Sequence, residues 1–452
     1  MGTIISLDLS SLELVSSKNS RGMDHGSLFQ TADRKPYRTT TSVAPVYEEE
    51  EPLGDSDMAF VRTLRDVLPR LELLGYTLAN AKAAYDRWVA TWREDREALR
   101  DDLDLPEVIP LTFEEFRTFV VRHAVTDLDD TYHEYGTDQA RVKGRFTDEA
   151  ALIARIPIDS DHSDLFWSER SYFAGLIGIL DPYLILRLLA ENPANSETEV
   201  IWQYGPLVEN GWAKTEEFSP LARRAETFLV ATEGSSDAHI LKHALELLRP
   251  EIRDFFRFID VTERHPFAGT GNLVKFAEGL AKIDVHNQTL FVFDNDAEGV
   301  EAFQRVSGLA LPPNMRAMLL PDLEAFRAFP TRGPEGDGLS DINGRGAAIE
   351  CYLDHRLRAF APPRVVWTNF KESLGVYHGM LEHKETYGRA FIKLKADDLS
   401  EYDTTKLEMV LAALVAECVA MASGDLAERY GFSAPATVQS RDATAPVAAD
   451  LR

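Results

Sequence analysis

Thr289-Leu290-Phe291-Val292-Phe293-Asp294-Asn295-Asp296-Ala297-Glu298-Gly299 is the stretch that decides the fold. Its first five residues are apolar, aromatic or β-branched, which suits a buried strand. Asp294 and Asp296 are two apart, so in extended chain they point to the same side. Gly299 permits a tight exit into a following helix. A second such stretch lies about 60 residues upstream, a spacing within one α/β unit. There Glu226-Thr227-Phe228-Leu229-Val230-Ala231 runs into Thr232-Glu233-Gly234-Ser235-Ser236-Asp237. Gly234 lets the chain turn beside Glu233, and Ser236 suits the N-cap of the next helix.

Working outward, strands are expected at 226–231, 255–261, 289–293 and 315–320. Helices are expected at 236–248, 272–283, 300–306 and 347–360. Strands alternating with helices at this spacing predict an α/β parallel sheet with helices on both faces. Ligands of such sheets bind outside the carboxyl ends of the strands. Both acidic motifs fall there. Acids gathered at one sheet edge repel, and one proton is retained unless a cation compensates. Carboxylates with water suit Mg²⁺ or Mn²⁺. Such an ion activates water or a hydroxyl and stabilises charge on a transferring phosphoryl group. Ordinary turn chemistry at strand ends is the competing reading for these acids.

Glu233-Gly234 with Asp237 after one strand, and Asp294, Asp296 and Gly299 after another, resemble the Toprim fold. Topoisomerases, bacterial primases and nucleases of the overcoming-lysogenization-defect family share it. The resemblance covers roughly residues 225–360. It implies that Glu233, Asp294 and Asp296 bind metal, and that Asp237 serves a second ion as in the nuclease branches. Those branches carry a further acid downstream, for which Asp341 and Glu350 are candidates. Lys384 is a candidate for stabilising the pentacoordinate phosphate, against the plainer reading of an exposed helix lysine. No recognisable catalytic-tyrosine setting or zinc-binding domain accompanies the module, which disfavours a topoisomerase and a primase. Gly2 to Lys18, with Leu73-Leu74-Gly75-Tyr76-Thr77, resembles the N-terminal domain that accompanies HEPN or Toprim modules in bacterial proteins. That resemblance implies anti-phage defence.

The 452 residues carry a net charge of −26, awkward for a nucleic-acid enzyme. The charge is uneven. Residues 221–360 hold 16 Lys and Arg against 21 Asp and Glu, a balance of −5, and the other 312 residues hold −21. Residues 1–19 read as a strand pair, which competes with a loose N-myristoylation pattern at Met1–Ser6. Residues 18–56, polar and ending in Glu48-Glu49-Glu50-Glu51-Pro52, read as a long loop or partly disordered stretch. Helical spacing begins near residue 57 with Phe60, Leu64, Val67, Leu68, Leu71 and Leu74. Helices are expected at 78–99, 112–134, 147–155, 169–191 and 196–204, so the N-terminal region is expected to be mostly α-helical. The expected organisation is 1–220, the HEPN/Toprim-associated domain; 221–360, the Toprim-like domain; 361–432, an α-rich segment; and 433–452, a disordered tail. Residues 333–346, rich in glycine, read as a mobile loop or plain connection.

Neither a secretory signal nor a transmembrane helix is expected. Cys351 and Cys418 form no zinc pattern, and a reducing cytoplasm is the expected setting. Gly269-Thr270-Gly271 is only a weak phosphate-loop lookalike. No Gly-x-x-x-x-Gly-Lys-Ser/Thr occurs, so any ATPase partner is a separate chain. The sequence therefore points to a Mg²⁺- or Mn²⁺-dependent endonuclease acting on DNA or RNA, with a protein partner such as an ATPase or sensor and room for a homo-oligomer. Two other readings stand beside it. One is a non-catalytic Toprim-like regulatory or scaffold protein. The other is a metal-independent HEPN-type ribonuclease using Arg117 and His123, which match a loose Arg-x(4–6)-His pattern.

Overall fold

Ile5, Leu7 and Leu9 alternate along the chain, so they share one face, and all three are buried. They lie on β1 (Ile4–Leu9), which turns at Ser10, φ 56°, into antiparallel β2 (Leu12–Lys18). With β3 (Arg34–Pro36), β4 (Met58–Thr63) and β5 (Glu199–Gln203) these form an antiparallel sheet of order β2-β1-β5-β4-β3. The computed structural model describes residues 2–37, 53–103, 107–134, 136–158, 166–259, 269–283, 285–334, 336–356 and 362–432. The expected tail at 433–452 and residues 38–52 of the expected loop at 18–56 lie outside them.

Between β4 and β5 come α1 (Leu64–Leu73), α2 (Leu78–Leu103), α3 (Phe113–Arg122), α4 (Gln139–Lys143), α5 (Ala150–Ile153), α6 (Glu169–Ile177) and α7 (Pro182–Leu189). α8 (Gly205–Glu209) follows β5. The N-terminal region is thus a five-stranded sheet with helices, not mostly helical. Two strands were misread for physical reasons. Phe60 and Leu64 are both buried, although one is on β4 and the other on α1, so their spacing mimics a helix. Val200, Ile201 and Trp202 on β5 are all buried, and periodicity cannot separate such a run from a buried helix.

The second half opens with β6 (Phe228–Thr232), α9 (Ser235–Leu248), β7 (Phe256–Phe258), α10 (Thr270–Leu280) and β8 (Gln288–Phe293). β9 (Asn295–Asp296), α11 (Ala297–Ser307) and β10 (Met315–Leu319) follow. The parallel sheet has order β10-β8-β6-β7, and every residue of β8 is buried, as a central parallel strand requires. Leu273 and Val274 of α10 and Ala302 and Val306 of α11 pack against Phe291 and Phe293 on one face. Ile240 and Leu241 of α9 join the larger core, with Val230 and Leu290, on the other. Helices on both faces match the expectation.

Beyond β10 the chain departs from it. β11 (Phe329–Gly333), β12 (Gly336–Ser340), β14 (Val365–Lys371) and β15 (Val376–Leu381) form a second sheet of order β12-β11-β14-β15, and β13 (Gly346–Ala347) pairs with β9. The glycine-rich stretch is therefore largely strand and turn. The helix expected at 347–360 is only a short 3₁₀ turn, Ile349–Tyr352, over its described part. Residues 361–432 contain a β-hairpin before α12 (Lys384–Ile392) and α13 (Thr405–Tyr430).

α13 is long and apolar enough, by length and composition, to cross a membrane, contrary to expectation. In this fold it is a core helix, burying Leu407, Val410, Leu411, Leu414, Met421 and Leu426. It also joins the two halves. Gly75, φ +92°, passes so close that a Cβ there would lie 2.4 Å from the Ala422 carbonyl oxygen. Asn80 Nδ2 donates to the carbonyls of Gly75 (2.8 Å) and Ser423 (2.9 Å). A second fastening is Arg70, wholly buried on α1. Its guanidinium donates to both carboxylate oxygens of Asp254 (2.7 and 2.8 Å) and to the backbone carbonyls of Ser27, Phe29 and Glu251.

Candidate functional site

The two acidic motifs meet at the carboxyl end of the parallel sheet. Glu233 follows β6, and Asp294 follows β8. Gly299 is what lets them approach: a Cβ there would lie 2.0 Å from the Asp294 carbonyl oxygen and 2.9 Å from Glu233 Oε1. Asp296 caps α11, its Oδ1 accepting from the amides of Glu298 (2.9 Å) and Gly299 (2.8 Å). Asp237, in the first turn of α9, accepts from Gly234 N (2.9 Å) and from Ser236 Oγ (3.1 Å). The N-cap position belongs to Gly234, so Ser236 is not the cap. Glu350 arrives from the short turn after β13, and the same turn donates the Ile349 amide to Asp294 Oδ1 at 3.0 Å.

Asp237, Asp296 and Glu350 are buried, while Glu233 and Asp294 each keep an edge to solvent. Loss of hydration raises the proton affinity of four of these acids, and their mutual repulsion adds to it in three. Burial first, then Asp296 and Asp237, push Glu233 up to about 8, against hydrogen bonds from Thr270 Oγ1 and the Asp294 amide. Burial and Glu350 push Asp237 up to about 6, against Ser236, the Gly234 amide and the charge of Lys384. Asp294 is held well above the usual carboxylate range by burial, then by Asp237, Glu233, Asp296 and Glu350. Burial also raises Asp296, opposed by the two helix amides and by His378.

The donor chemistry suits a hard divalent cation: oxygen ligands, low hydration, and more negative than positive groups. The arrangement is not a closed cage. Among the described residues, no three His, Cys, Asp or Glu side chains stand ready to hold an ion. Mg²⁺ tolerates this, since it keeps several waters and is commonly held by one or two carboxylates plus substrate oxygens.

Five expected site acids, Glu233, Asp237, Asp294, Asp296 and Glu350, therefore share one electrostatic neighbourhood. Lys384 belongs to it as well: it is half-buried at the start of α12 and favours the ionised form of Asp237. Asp341 does not. It is exposed and accepts from Asn343 N (3.0 Å) and Nδ2 (2.9 Å), which is turn chemistry. Glu298 stands at the rim, 3.4 Å from Lys371 Nζ. Sequence reasoning missed His378, whose Nδ1 is 3.8 Å from Asp296 Oδ2. It also gave no role to Thr270, although Gly269-Thr270-Gly271 had drawn notice.

Arg117 and His123 are engaged elsewhere. Arg117 pairs with Glu191 (2.7 Å) and Glu114 (3.2 Å). His123 is buried among Phe119, Phe146 and Phe173, and burial lowers its pKa to about 4. A neutral ring boxed by three phenyl groups cannot readily reach a phosphodiester.

A family model described as HEPN/Toprim N-terminal domain 1 matches residues 1–226, ending just before β6. No curated protein and no solved structure matches the chain.

Proposed function

The chain belongs to the HEPN/Toprim N-terminal domain 1 family, and on that footing we propose that it is a divalent-metal-dependent endonuclease of a bacterial anti-phage defence system. The single observation behind the reading is the convergence of Glu233, Asp237, Asp294, Asp296 and Glu350 at the carboxyl end of a parallel sheet. Glu233, Asp294 and Asp296 would hold one Mg²⁺ or Mn²⁺, and Asp237 with Glu350 a second. The ion supplies a polarised water and positive charge against the phosphoryl oxygens. Lys384, beside Asp237, offsets charge building on the phosphate. Thr270 and the Asp294 amide orient the Glu233 carboxylate.

The N-terminal half then recognises a trigger or a protein partner, such as a separate sensor or ATPase. Its share of the −26 net charge suits a protein better than DNA. The bacterial cytoplasm is the proposed place of action. A second reading, a non-catalytic regulatory module, draws on one observation, the absence of a ready-made cage among the described residues.

Cleavage of supercoiled DNA and structured RNA with Mg²⁺, Mn²⁺ or EDTA, by wild type and by Asp294→Ala/Asp296→Ala, tests the proposal. Metal-dependent cutting absent from the double variant supports it and identifies the substrate. Wild type that binds Mn²⁺ but cuts neither substrate points to a missing trigger or partner or to the regulatory reading. Cutting that survives both EDTA and the substitutions refutes the site.

A further inference from the structure

The β14–β15 hairpin reaches the acidic site at two points. Lys371 on β14 sets its Nζ 3.4 Å from Glu298 and 3.3 Å from Glu301, both on α11. His378 on β15 sets its Nδ1 3.8 Å from Asp296 Oδ2. The backbone ties the same pieces together. Gly346 of β13 pairs with Asp296 of β9, and Gly379 N donates to Arg345 O at 2.9 Å. The strand bearing His378 is thus fastened to the strand lying beside Asp296.

Asp296 has one oxygen occupied and one facing the imidazole. Oδ1 takes the Glu298 and Gly299 amides. His378 Nδ1 is buried and has no hydrogen bond among the described residues. The gap of 3.8 Å exceeds a hydrogen bond, so a small side-chain movement separates contact from none. A buried ring nitrogen without a partner is costly, and Asp296 Oδ2, on a carboxylate assigned to metal, lies 3.8 Å from it.

We propose that His378 is a positioning residue, donating from Nδ1 to Asp296 Oδ2 and so fixing this carboxylate for the cation, with the hairpin as the strap that delivers it. The inference rests on the metal-binding reading of the acidic site. Hydrogen-bond partners of ligating groups typically control metal affinity by about 10- to 100-fold.

Mn²⁺ binding to the full chain, read from the free-ion electron paramagnetic resonance signal, is compared for wild type, His378→Phe and His378→Asn. The phenyl ring fills the space without a donor, whereas the asparagine amide places a donor near the Nδ1 position. Thermal unfolding is recorded for each. The expected result is a Kd about 10- to 100-fold weaker for His378→Phe and within about 3-fold of wild type for His378→Asn. Wild-type affinity in a folded His378→Phe protein overturns the role of His378 alone. Equal weakening in both variants overturns it too, because the donor is then irrelevant. A wild type that binds Mn²⁺ no better than Asp294→Ala/Asp296→Ala overturns the underlying metal reading and this inference with it.

Discussion

Raising the pH should tighten metal binding steeply, because the ligands hold protons that the cation must displace. Burial and neighbouring acids push Glu233 up to about 8 and Asp237 up to about 6 in the metal-free protein. At about pH 6 only about one Glu233 in a hundred is ionised, and at about pH 8 about half are, which alone changes Kd by about 50-fold. Asp237, assigned to the second ion, adds a factor of only about 2 at that ion. Asp294 and Asp296, both raised, push in the same direction. Mn²⁺ titrations at several pH values measure the trend, and calorimetry in two buffers of different ionisation enthalpy counts the protons released. At least about one proton should leave near pH 7 with the ion held by Glu233, Asp294 and Asp296, since Asp294 too is raised. An affinity constant within about 3-fold from pH 6 to 8, with no proton release, would refute the reasoning.

Without metal, stability should fall as pH rises from about 4.5 through about 8, since the folded state keeps the Glu233 proton that the unfolded state releases; urea unfolding in EDTA across that window checks the sign. Asp294→Asn keeps an acceptor for the Ile349 amide and removes a carboxyl whose ionised form burial and neighbouring acids disfavour, so near pH 8 it should stabilise the metal-free protein by about 1 kcal/mol or more while abolishing metal-dependent cleavage. Arg70→Ala leaves the half-buried Asp254 without its cation and should cost about 3 kcal/mol in urea unfolding, whereas an effect under about 1 kcal/mol would show that the two halves do not depend on this pair. Gly75→Ala forces a Cβ against the Ala422 carbonyl in left-handed backbone and should cost about 2–5 kcal/mol, measured the same way.

The parallel sheet was legible because its strands are short apolar runs alternating with helical spacing, and two of them, β6 and β8, run into acids and glycine. The acidic site was legible for the same reason: Glu233 and Asp294 follow strand ends that the sheet brings together, and Asp237 and Asp296 start the helices just beyond them. Glu350 could only be offered beside Asp341, since both are acids downstream of the second motif with no local pattern to separate them. Their separation depends on β13 pairing with β9, which no local pattern announces. The β14–β15 hairpin did leave a signal. Val365–Lys371 and Val376–Leu381 are β-rich runs either side of Glu372-Ser373-Leu374-Gly375, with Gly375 at φ +68°. His378 was hidden because its importance lies in a contact with a residue 82 positions away. In the N-terminal half, Phe60 and Leu64 imitated a helix across a strand–helix junction. The sign missed there was Thr63, whose hydroxyl accepts from the Asp66 amide and marks where α1 starts.

Anomalous diffraction from crystals soaked in Mn²⁺ tests the central claim most directly. The account predicts the strongest anomalous peak among Glu233, Asp294 and Asp296, with carboxylate oxygens at about 2.0–2.3 Å. A fully occupied Mn²⁺ elsewhere, with no peak between these three side chains, would contradict it.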